Sequence, residues 1–262
     1  MEIITSRQNP RIKEVKKLIA DKKARAESGL FWVDGVNFVA QAIENTWEIE
    51  TLVYVPELVD SDFKKKVVEQ IDDDRWLAVN REIYADLATK KDIQGIGAVV
   101  RQKISKNTLF DGTGVVLENI ANPGNLGSIV RLCAAFSVTR LYVVKPAVDF
   151  FNPETVRASM GAIFHLGLVY FDSTDELVKQ LTGRGFAVIG TSLQDDSVDL
   201  AQFKPRKISN RLFLFGSEAK GLSGEAREMC DSLVKIPISE AVDSLNIAES
   251  AAIVLYELVV KK

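Results

Sequence analysis

The sequence predicts an α/β protein with a mostly parallel sheet in its C-terminal part and a smaller α/β domain ahead of it. Two observations indicate this class. Beyond residue 112, short apolar runs alternate with stretches of helical periodicity, which is typical of a parallel sheet covered by helices on both faces. Before it, a shorter set of strand and helix patterns ends in a polar, glycine-punctuated stretch at 101–114. We therefore expect two domains, residues 1–104 and 105–262.

In the first part, apolar residues at helical spacing predict an amphipathic helix over about residues 9–27. The stretch LFWVDGVNFVAQAIEN predicts a strand, a turn at Asp34-Gly35 and a helix. Two further strands, with a helix between them, are predicted within residues 49–58 and 75–80. Together these elements make a small α/β unit.

In the second part, six strands and four helices are predicted. The strands lie at residues 114–119, 140–145, 164–171, 186–193, 211–218 and 234–238. The helices lie at residues 125–136, 175–183, 225–230 and 246–261. Ligands of such sheets bind at the carboxyl ends of the strands, and the unusual loops of this chain follow those ends. We expect the functional site at that edge.

Composition excludes several classes of protein. No apolar run reaches the length of a membrane span, and the charged N-terminus lacks a signal-peptide core. Cys133 and Cys230 stand in apolar, helix-like settings, so neither a disulfide framework nor a thiolate metal site is indicated. The single histidine, His165, is predicted in a strand as a structural residue, which counts against a histidine-based catalytic triad. We expect a cytoplasmic protein without a membrane anchor or a metal.

Charge is distributed unevenly along the chain. The net charge is −3, yet residues 1–29 carry eight Lys and Arg against four acids. A locally basic segment on an acidic protein can hold nucleic-acid phosphates, and the alternative is a solvated helix face.

One arginine stands on an otherwise apolar helix. In NPGNLGSIVRLCAAF, residues 122–136, the helical neighbours of Arg131 three and four positions away are all small. They are Gly127, Ser128, Ala134 and Ala135. Because these side chains leave a groove beside the guanidinium, we expect a ligand to approach Arg131.

Two loops near the C-terminus are also unusual. GSEAKGLS, residues 216–223, has the glycine spacing of a phosphate-binding loop, but Leu222 occupies the lysine position. This loop is either a plain turn or a place where a flat group packs on bare backbone. In KIPISEAVDSLNIAESAAIVLYE, residues 235–257, Asn246 and Glu249 have the spacing of a capping box at the start of a helix.

These stretches, in this order, resemble the three signature motifs of the SpoU (TrmH-like) branch of the SPOUT RNA methyltransferases. The stretches are ENIANPGNLGSIVRLCAAF, LFLFGSEAKGLS and KIPISEAVDSLNIAESAAIVLYE. The matching residues are Asn125, Gly127 and Arg131, then Gly216, Glu218 and Gly221, then Pro237, Ser244, Leu245 and Asn246. RASMGAIFHL, residues 157–166, resembles the family's Ser-x-Gly-Ala segment. The resemblance covers about residues 112–260.

The first part of the chain is similar to the substrate-binding domain often fused ahead of this core, an α/β fold related to a large-subunit ribosomal protein. GLFWVDGVNFVAQAI carries the clearest similarity. This resemblance implies that residues 1–104 bind RNA and that the substrate is ribosomal RNA. Transfer RNA is the alternative substrate.

The family resemblance implies a SPOUT domain with a deep C-terminal trefoil knot, S-adenosylmethionine as cofactor, methylation of a ribose 2′-hydroxyl, and a homodimer whose site spans the interface. The implied catalytic residues are Asn125, Arg131, Glu218, Ser244 and Asn246. Cofactor contacts are expected from Thr191, Gly216, Ile236 and Leu245. Family precedent favours Arg131 as the base, whereas a permanently charged guanidinium is the better phosphate anchor, so both roles stay open.

Two positions depart from the family pattern, and two other protein classes compete with this reading. Glu240 replaces a usual glycine and Glu249 lies near a position that is commonly small. Glu240 either crowds the methionine end of the cofactor or points to solvent.

A non-catalytic RNA-binding protein would have no need of Ser244, Asn246 and Arg131 together. A nucleotide-binding enzyme on a doubly wound sheet is disfavoured, because the sequence has no complete phosphate loop.

Overall fold

The computed structural model describes residues 3–89, 91–194, 196–204, 208–217 and 220–261. The described helices are α1 Pro10–Ala20, α2 Lys22–Ser28, α3 Val36–Glu44, α4 Asp62–Glu69, α5 Arg81–Leu87, α6 Pro123–Ala135, α7 Pro153–Ala158, α8 Thr174–Leu181, α9 Gly224–Glu228 and α10 Ile247–Leu255. The described strands are β1 Leu30–Asp34, β2 Ile49–Tyr54, β3 Trp76–Ala78, β4 Ile96–Arg101, β5 Ser105–Lys106, β6 Thr113–Glu118, β7 Arg140–Val144, β8 Gly167–Phe171, β9 Ala187–Thr191, β10 Val198–Asp199, β11 Arg211–Phe215 and β12 Ser232–Lys235.

The chain divides into two compact units. Unit 1 comprises Met1–Lys103 and Asp149–Phe164, and unit 2 comprises Ile104–Val148 and His165–Lys262. None of the described helices is both long and apolar enough to span a bilayer.

Unit 1 is built on a four-stranded sheet in the order β1-β4-β2-β3, with β4 antiparallel to both its neighbours. One face of the sheet packs against α1 and α5. The predicted apolar side of the first helix supplies Ile12, Val15 and Leu18 to this core, where they meet Trp32 of β1. α3 packs on β1 and β4 and carries α4. Neither β4 nor α5 was predicted.

The predicted helix over residues 9–27 is wrong, because the structure has two helices there. Asp21 ends α1 because its backbone is extended (φ −119°, ψ 114°), and its side chain caps α2 by accepting from the Lys23 N–H (2.8 Å). Arg25 of α2 is only 2% exposed. It donates to Asp149 at 2.7 Å and to the Leu18 carbonyl at 2.6 Å, so it is a structural cation rather than a surface one.

Unit 1 also contains a segment distant in sequence, residues 149–164. The ring of Phe151 lies 4.5 Å from that of Phe31 of β1. The Trp47 indole N–H donates to the Phe164 carbonyl at 3.1 Å. These contacts complete an aromatic cluster that residues 1–103 alone leave unfinished, and no sequence pattern indicated it.

Unit 2 is built on an eight-stranded sheet in the order β10-β12-β9-β11-β6-β7-β8-β5. Every pair of neighbouring strands is parallel. α6 and α10 pack against each other, with α6 on β7 and α10 on β11, and α8 packs on β8 and against α9. The predicted α/β class with a parallel sheet is confirmed, whereas the knot stays a prediction.

Several predicted strands are shorter than expected. His165, predicted in a strand, is the last residue of the 3₁₀ helix Ala162–His165 and is exposed, and β8 begins only at Gly167. The apolar run continues through this short helix because Ile163 and Phe164 are buried without belonging to the sheet. The predicted strand position of His165 is therefore wrong.

Candidate active site

A cavity of about 130 Å³ lies at the carboxyl edge of the unit 2 sheet. Its described wall residues come from the ends of β9, β11 and β12, the loop after β12 and the start of α10: Thr191, Ser192, Leu193, Phe215, Gly216, Ser217, Gly221, Val234, Ile236, Ile238, Ser244, Leu245, Ile247 and Ser250. One water needs about 10–15 Å³ of such space. The cavity can therefore admit a ring system, at the sheet edge where the sequence predicted a site.

All four residues predicted to contact the cofactor line this cavity: Thr191, Gly216, Ile236 and Leu245. The Thr191 hydroxyl donates to the Leu214 carbonyl at 3.1 Å, so its polar atom ties β9 to β11. At Gly216 a Cβ would overlap the backbone of Gly221. Position 216 therefore requires glycine, because the backbone of Gly221 in the same loop lies too close to admit a side chain.

The loop after β11 is held closed by its backbone. Ser217 N–H donates to the Gly221 carbonyl at 3.1 Å, and Gly221 N–H donates to the Ser217 carbonyl at 2.8 Å. Gly221 has φ +66°, a left-handed conformation that glycine adopts without strain. Glu218, predicted to pin this loop, lies outside the described residues.

The wall chemistry fits the adenosine end of S-adenosylmethionine. None of the described wall residues is charged, and branched aliphatic side chains alternate with hydroxyls. The backbone N–H groups of Ile236, Ile238 and Leu245 make no hydrogen bond to another described residue. The apolar walls of such a cavity can pack on both faces of a flat heterocycle, and the free backbone N–H groups can donate to acceptor atoms at the edge of the ring.

A buried carboxylate that sequence reasoning missed supports the same loop. Glu118, at the carboxyl end of β6, is 5% exposed. It accepts from the Ser223 N–H (2.7 Å), the Ser223 hydroxyl (2.7 Å) and the Thr174 hydroxyl (2.8 Å). Thr174 and Ser223 lie at the N-termini of α8 and α9, whose dipoles favour a negative charge. Glu118 thereby fixes the chain two residues beyond Gly221 of the cavity wall.

The first and third motifs meet where two helices begin. Asn122 caps α6 by accepting from the Asn125 N–H at 2.9 Å, and Pro123 occupies the first turn. The Asn246 side chain donates to the Asn125 carbonyl oxygen Oδ1 at 3.0 Å. The predicted capping box of Asn246 and Glu249 is present at the start of α10. Two predicted catalytic residues, Asn125 and Asn246, are thus in direct contact.

The structure does not bring Arg131 to this cavity. Arg131 is exposed on α6, about 9 Å along the helix axis from Asn125 at 1.5 Å per residue, and it is absent from the described wall. Its side chain forms no hydrogen bond or ion pair with another described residue. Ser244 is exposed and lines the cavity, whereas Glu240 is exposed and outside the wall.

The two thiols show no sign of reactivity. Burial raises the pKa of the Cys133 thiol to about 12, and burial near Asp231 raises that of Cys230 to about 12 as well. Reactive cysteines have depressed pKa values. Among the described residues, no group of three or more His, Cys, Asp or Glu is placed to hold a metal ion.

The parallel sheet with an uncharged cavity at its carboxyl edge and two motif loops converging on it defines an α/β protein that binds a nucleotide-like ligand. Residues 112–256 match the SpoU rRNA methylase family, and residues 9–98 match an MRM3-like substrate-binding domain. The chain belongs to the SpoU rRNA methylase family. The predicted resemblance is confirmed, and the protein is an RNA methyltransferase of this family.

Relatives and solved structures agree with this assignment. The 23S rRNA (uridine(2479)-2′-O)-methyltransferase of Streptomyces viridochromogenes is 30% identical over 98% of this chain and 91% of its own length. An AdoMet-bound rRNA methyltransferase of Sinorhizobium meliloti superimposes with a TM-score of 0.87, at 29% identity over 98% of this chain and 96% of that one. The tRNA (guanosine(18)-2′-O)-methyltransferase of Thermus thermophilus is 36% identical over 55% of this chain and 72% of its own length.

Proposed function

We propose that this protein transfers a methyl group from S-adenosylmethionine to a ribose 2′-hydroxyl of large-subunit ribosomal RNA in the cytoplasm. The observation that carries the proposal is the cavity at the carboxyl edge of unit 2, walled by all four residues predicted to contact the cofactor. Bound there, S-adenosylmethionine supplies an electrophilic methyl group on a sulfonium. The two cysteines are free thiols, in keeping with a reducing compartment.

Ribosomal RNA is favoured over transfer RNA by the extent of the similarity. The Streptomyces viridochromogenes 23S rRNA enzyme matches nearly the whole chain, whereas the Thermus thermophilus transfer-RNA enzyme matches about half of it. The MRM3-like match at residues 9–98 lies in the predicted RNA-binding domain, residues 1–104. We assign RNA binding to that domain and methyl transfer to residues 105–262.

The remaining residues of the site align the substrate. The contact between Asn125 and Asn246 joins the start of α6 to the start of α10, and thereby the two motif loops. Ser244 is exposed and lines the cavity, and we assign to its hydroxyl a hydrogen bond to the ribose. A protein that holds the ribose 2′-hydroxyl in line with the methyl group turns a bimolecular reaction into an effectively unimolecular one. Such alignment lowers the entropic part of the activation barrier.

For Arg131 we favour the phosphate-anchoring role. Its guanidinium is exposed and without a partner among the described residues, so the planar fork is open to a phosphate. A guanidinium binds phosphate through two parallel hydrogen bonds and stays charged at physiological pH. Arg131 would then hold the ribose-phosphate so that the 2′-hydroxyl faces the methyl group. As the methyl–sulfur bond breaks and the new O–CH₃ bond forms, the hydroxyl proton would pass to water.

A second copy of the chain would bring Arg131 to a cofactor cavity. α10 and the π-helical turn Tyr256–Val260 that follows it expose three large apolar side chains, Ile253, Tyr256 and Val260, which are 41%, 54% and 45% exposed. Tyr256 packs beside Phe136 at the end of α6, the helix that carries Arg131. We propose that this face forms a homodimer in which Arg131 of one protomer serves the cavity of the other.

The experiment that tests this function is incubation with radiolabelled S-adenosylmethionine and total ribosomal or transfer RNA, followed by mapping of the methylated ribose. Wild-type protein should label large-subunit RNA. Arg131→Ala should lose transfer while binding S-adenosylmethionine normally by calorimetry, and Arg131→Lys should also fail because a point charge lacks the bidentate fork. Mixing inactive Arg131→Ala with inactive Asn246→Ala should restore part of the activity if the site spans two protomers. Unchanged methylation by Arg131→Ala would refute the assignment.

A further inference from the structure

Unit 1 carries its surface charge unevenly. Between residues 7 and 20, which include α1, five Lys and Arg stand against one acid. Residues 57–75, which include α4, carry seven acids against four Lys and Arg. α1 packs with α5 in one core cluster, and α4 packs on α3, which contributes nothing to that cluster. The potential of the unit is therefore positive over α1 and negative over α4.

Only part of the positive charge near α1 is free. Arg7 and Lys16 both bind Asp86 of α5, each at 2.8 Å, and this cluster has a net charge of one. Both cations lower the pKa of Asp86, with the Lys16 hydrogen bond as the largest cause, so the carboxylate stays ionised. The cations left over are Arg11, Lys13 and Lys17, all exposed and without a side-chain partner among the described residues.

Lys13 and Lys17 are held side by side. They are four residues apart, so they project from the same side of α1 about one turn from each other. Ile12, Val15 and Leu18 fix the opposite side of the helix in the core. Like charges at this spacing destabilise a helix, so the pair does not serve the stability of α1. A fixed row of unneutralised cations is complementary to a row of phosphates.

Glu14, the acidic residue of this segment, does not neutralise the charges of Lys13 and Lys17. Glu14 lies between the two lysines in sequence and is exposed, but it forms no ion pair with either of them. Arg11 is a further free cation, but it lies two residues before Lys13 and therefore projects from another side of the helix. The free charge on this side of α1 is therefore that of Lys13 and Lys17, next to Lys16 one turn from Lys13, so it can contact more than one phosphate of a polyanion.

We propose that this surface, defined as Lys13 and Lys17 beside the Arg7–Asp86–Lys16 cluster and called the α1 face, binds the phosphate backbone of the substrate RNA. The inference rests on the proposed function and adds to it the place where the RNA is held. The α1 face contains no exposed aromatic ring, and its free groups are all cations. Such contacts position RNA without reading its bases, so the selection of the methylated nucleotide lies elsewhere.

The test compares Lys13→Ala/Lys17→Ala with Lys66→Ala in the full-length protein. Lys66 is the matched control, because it is also exposed and without a side-chain partner among the described residues but lies on α4 in the acidic region. Binding is measured by fluorescence anisotropy on poly(U) over a range of salt. The slope of log Kd against log salt should fall by about 1.4 in the double variant, about 0.7 for each lost contact with a single strand. It should stay unchanged in the control.

Methyl transfer to ribosomal RNA supplies a second readout. The double variant should raise the KM for RNA several-fold and leave kcat at saturating RNA and the affinity for S-adenosylmethionine unchanged. A slope and KM equal to those of the wild type would overturn the α1 face as the RNA contact, as would an equal loss in Lys66→Ala. If wild-type protein methylates no RNA, the proposed function fails, while the poly(U) slope still decides where RNA binds.

Discussion

Single residues differ in how far their neighbours along the chain determine their role. Asn246 and Glu249 form a capping box whose partners are three residues apart, so spacing alone predicts it. Glu118 binds Thr174 and Ser223, which are 56 and 105 residues away. No local pattern marks such a carboxylate, because its partners are brought together only by the sheet.

Glu118 yields the first prediction. Glu118→Gln keeps the shape of the side chain but removes its charge and one of its two acceptor oxygens, so the three buried donors from Ser223 and Thr174 lose part of their pairing. This should cost about 1–3 kcal/mol of stability, or about 2–4 °C in Tm for each kcal/mol in a protein near this size. The affinity for S-adenosylmethionine should fall several-fold, because the loop that contributes Gly216 and Gly221 to the cavity loses its anchor.

Calorimetric titration with S-adenosylmethionine and thermal denaturation provide the two measurements for Glu118→Gln. Glu228→Gln is the control, since Glu228 is exposed at the end of α9 and forms no side-chain hydrogen bond with a described residue. It should behave as the wild type in both assays. A Glu118→Gln protein that binds the cofactor with wild-type affinity would show that the carboxylate supports the fold alone.

At the scale of secondary-structure elements, apolar runs predict the central strands and fail at their ends. β7, β9 and β11 lie within predicted strands, and β6 begins one residue before its predicted strand, because strands buried on both faces are continuously apolar. The ends were overestimated where the apolar sequence continues into a loop or a 3₁₀ helix. The break between α1 and α2 was missed, because the N-cap Asp21 stands within a run of other charged residues.

The start of α10 yields the second prediction. Asn246→Ala removes the N-cap and should destabilise the protein by about 0.5–2 kcal/mol. Asn246→Asp keeps a capping oxygen for the Ala248 N–H but replaces the amide that donates to Asn125. We expect Asn246→Asp to recover the stability and both variants to lose methyl transfer, because the link between the two motif loops is broken in each.

Thermal denaturation and single-turnover methyl transfer at saturating cofactor separate the two roles of Asn246. If Asn246→Asp recovered transfer together with stability, the side chain would act as a helix cap only. The control is Asn80→Asp, at the N-cap of α5 in unit 1, where the Asn80 side chain accepts from the Ile83 N–H. That exchange should change neither quantity much, since Asp and Asn are comparable N-caps.

At the scale of the whole molecule, the order of elements in the sequence does not reveal which of them share a core. The polar stretch after residue 101 predicted a simple division into residues 1–104 and 105–262, and that division stays a prediction. Unit 1 includes residues 149–164, whose Phe151 and Phe164 complete the cluster around Phe31 and Trp47. Contacts over such separations depend on tertiary packing, which periodicity does not report.

The Arg25–Asp149 ion pair of unit 1 makes this dependence measurable. The two side chains are 3% and 12% exposed and 2.7 Å apart, so removing one leaves a charge buried without its partner. Asp149→Ala should therefore destabilise the protein by about 3–5 kcal/mol. Glu27→Ala, which removes the 63% exposed partner of Lys23, should leave Tm nearly unchanged. Replacing both members, Arg25→Met with Asp149→Ala, should recover part of the loss.

The same reasoning predicts how an isolated fragment behaves. A chain cut after residue 104 keeps Phe31, Trp47 and Arg25 but loses the residues that cover them. It should bind a hydrophobic dye and show red-shifted tryptophan emission, because the Trp47 ring becomes exposed to water. Adding a peptide of residues 149–164 in excess should reverse both signals. A fragment that folds cooperatively without the peptide, with a buried Trp47, would show that the distant segment is dispensable and that the predicted boundary at residue 104 separates two independent folding units.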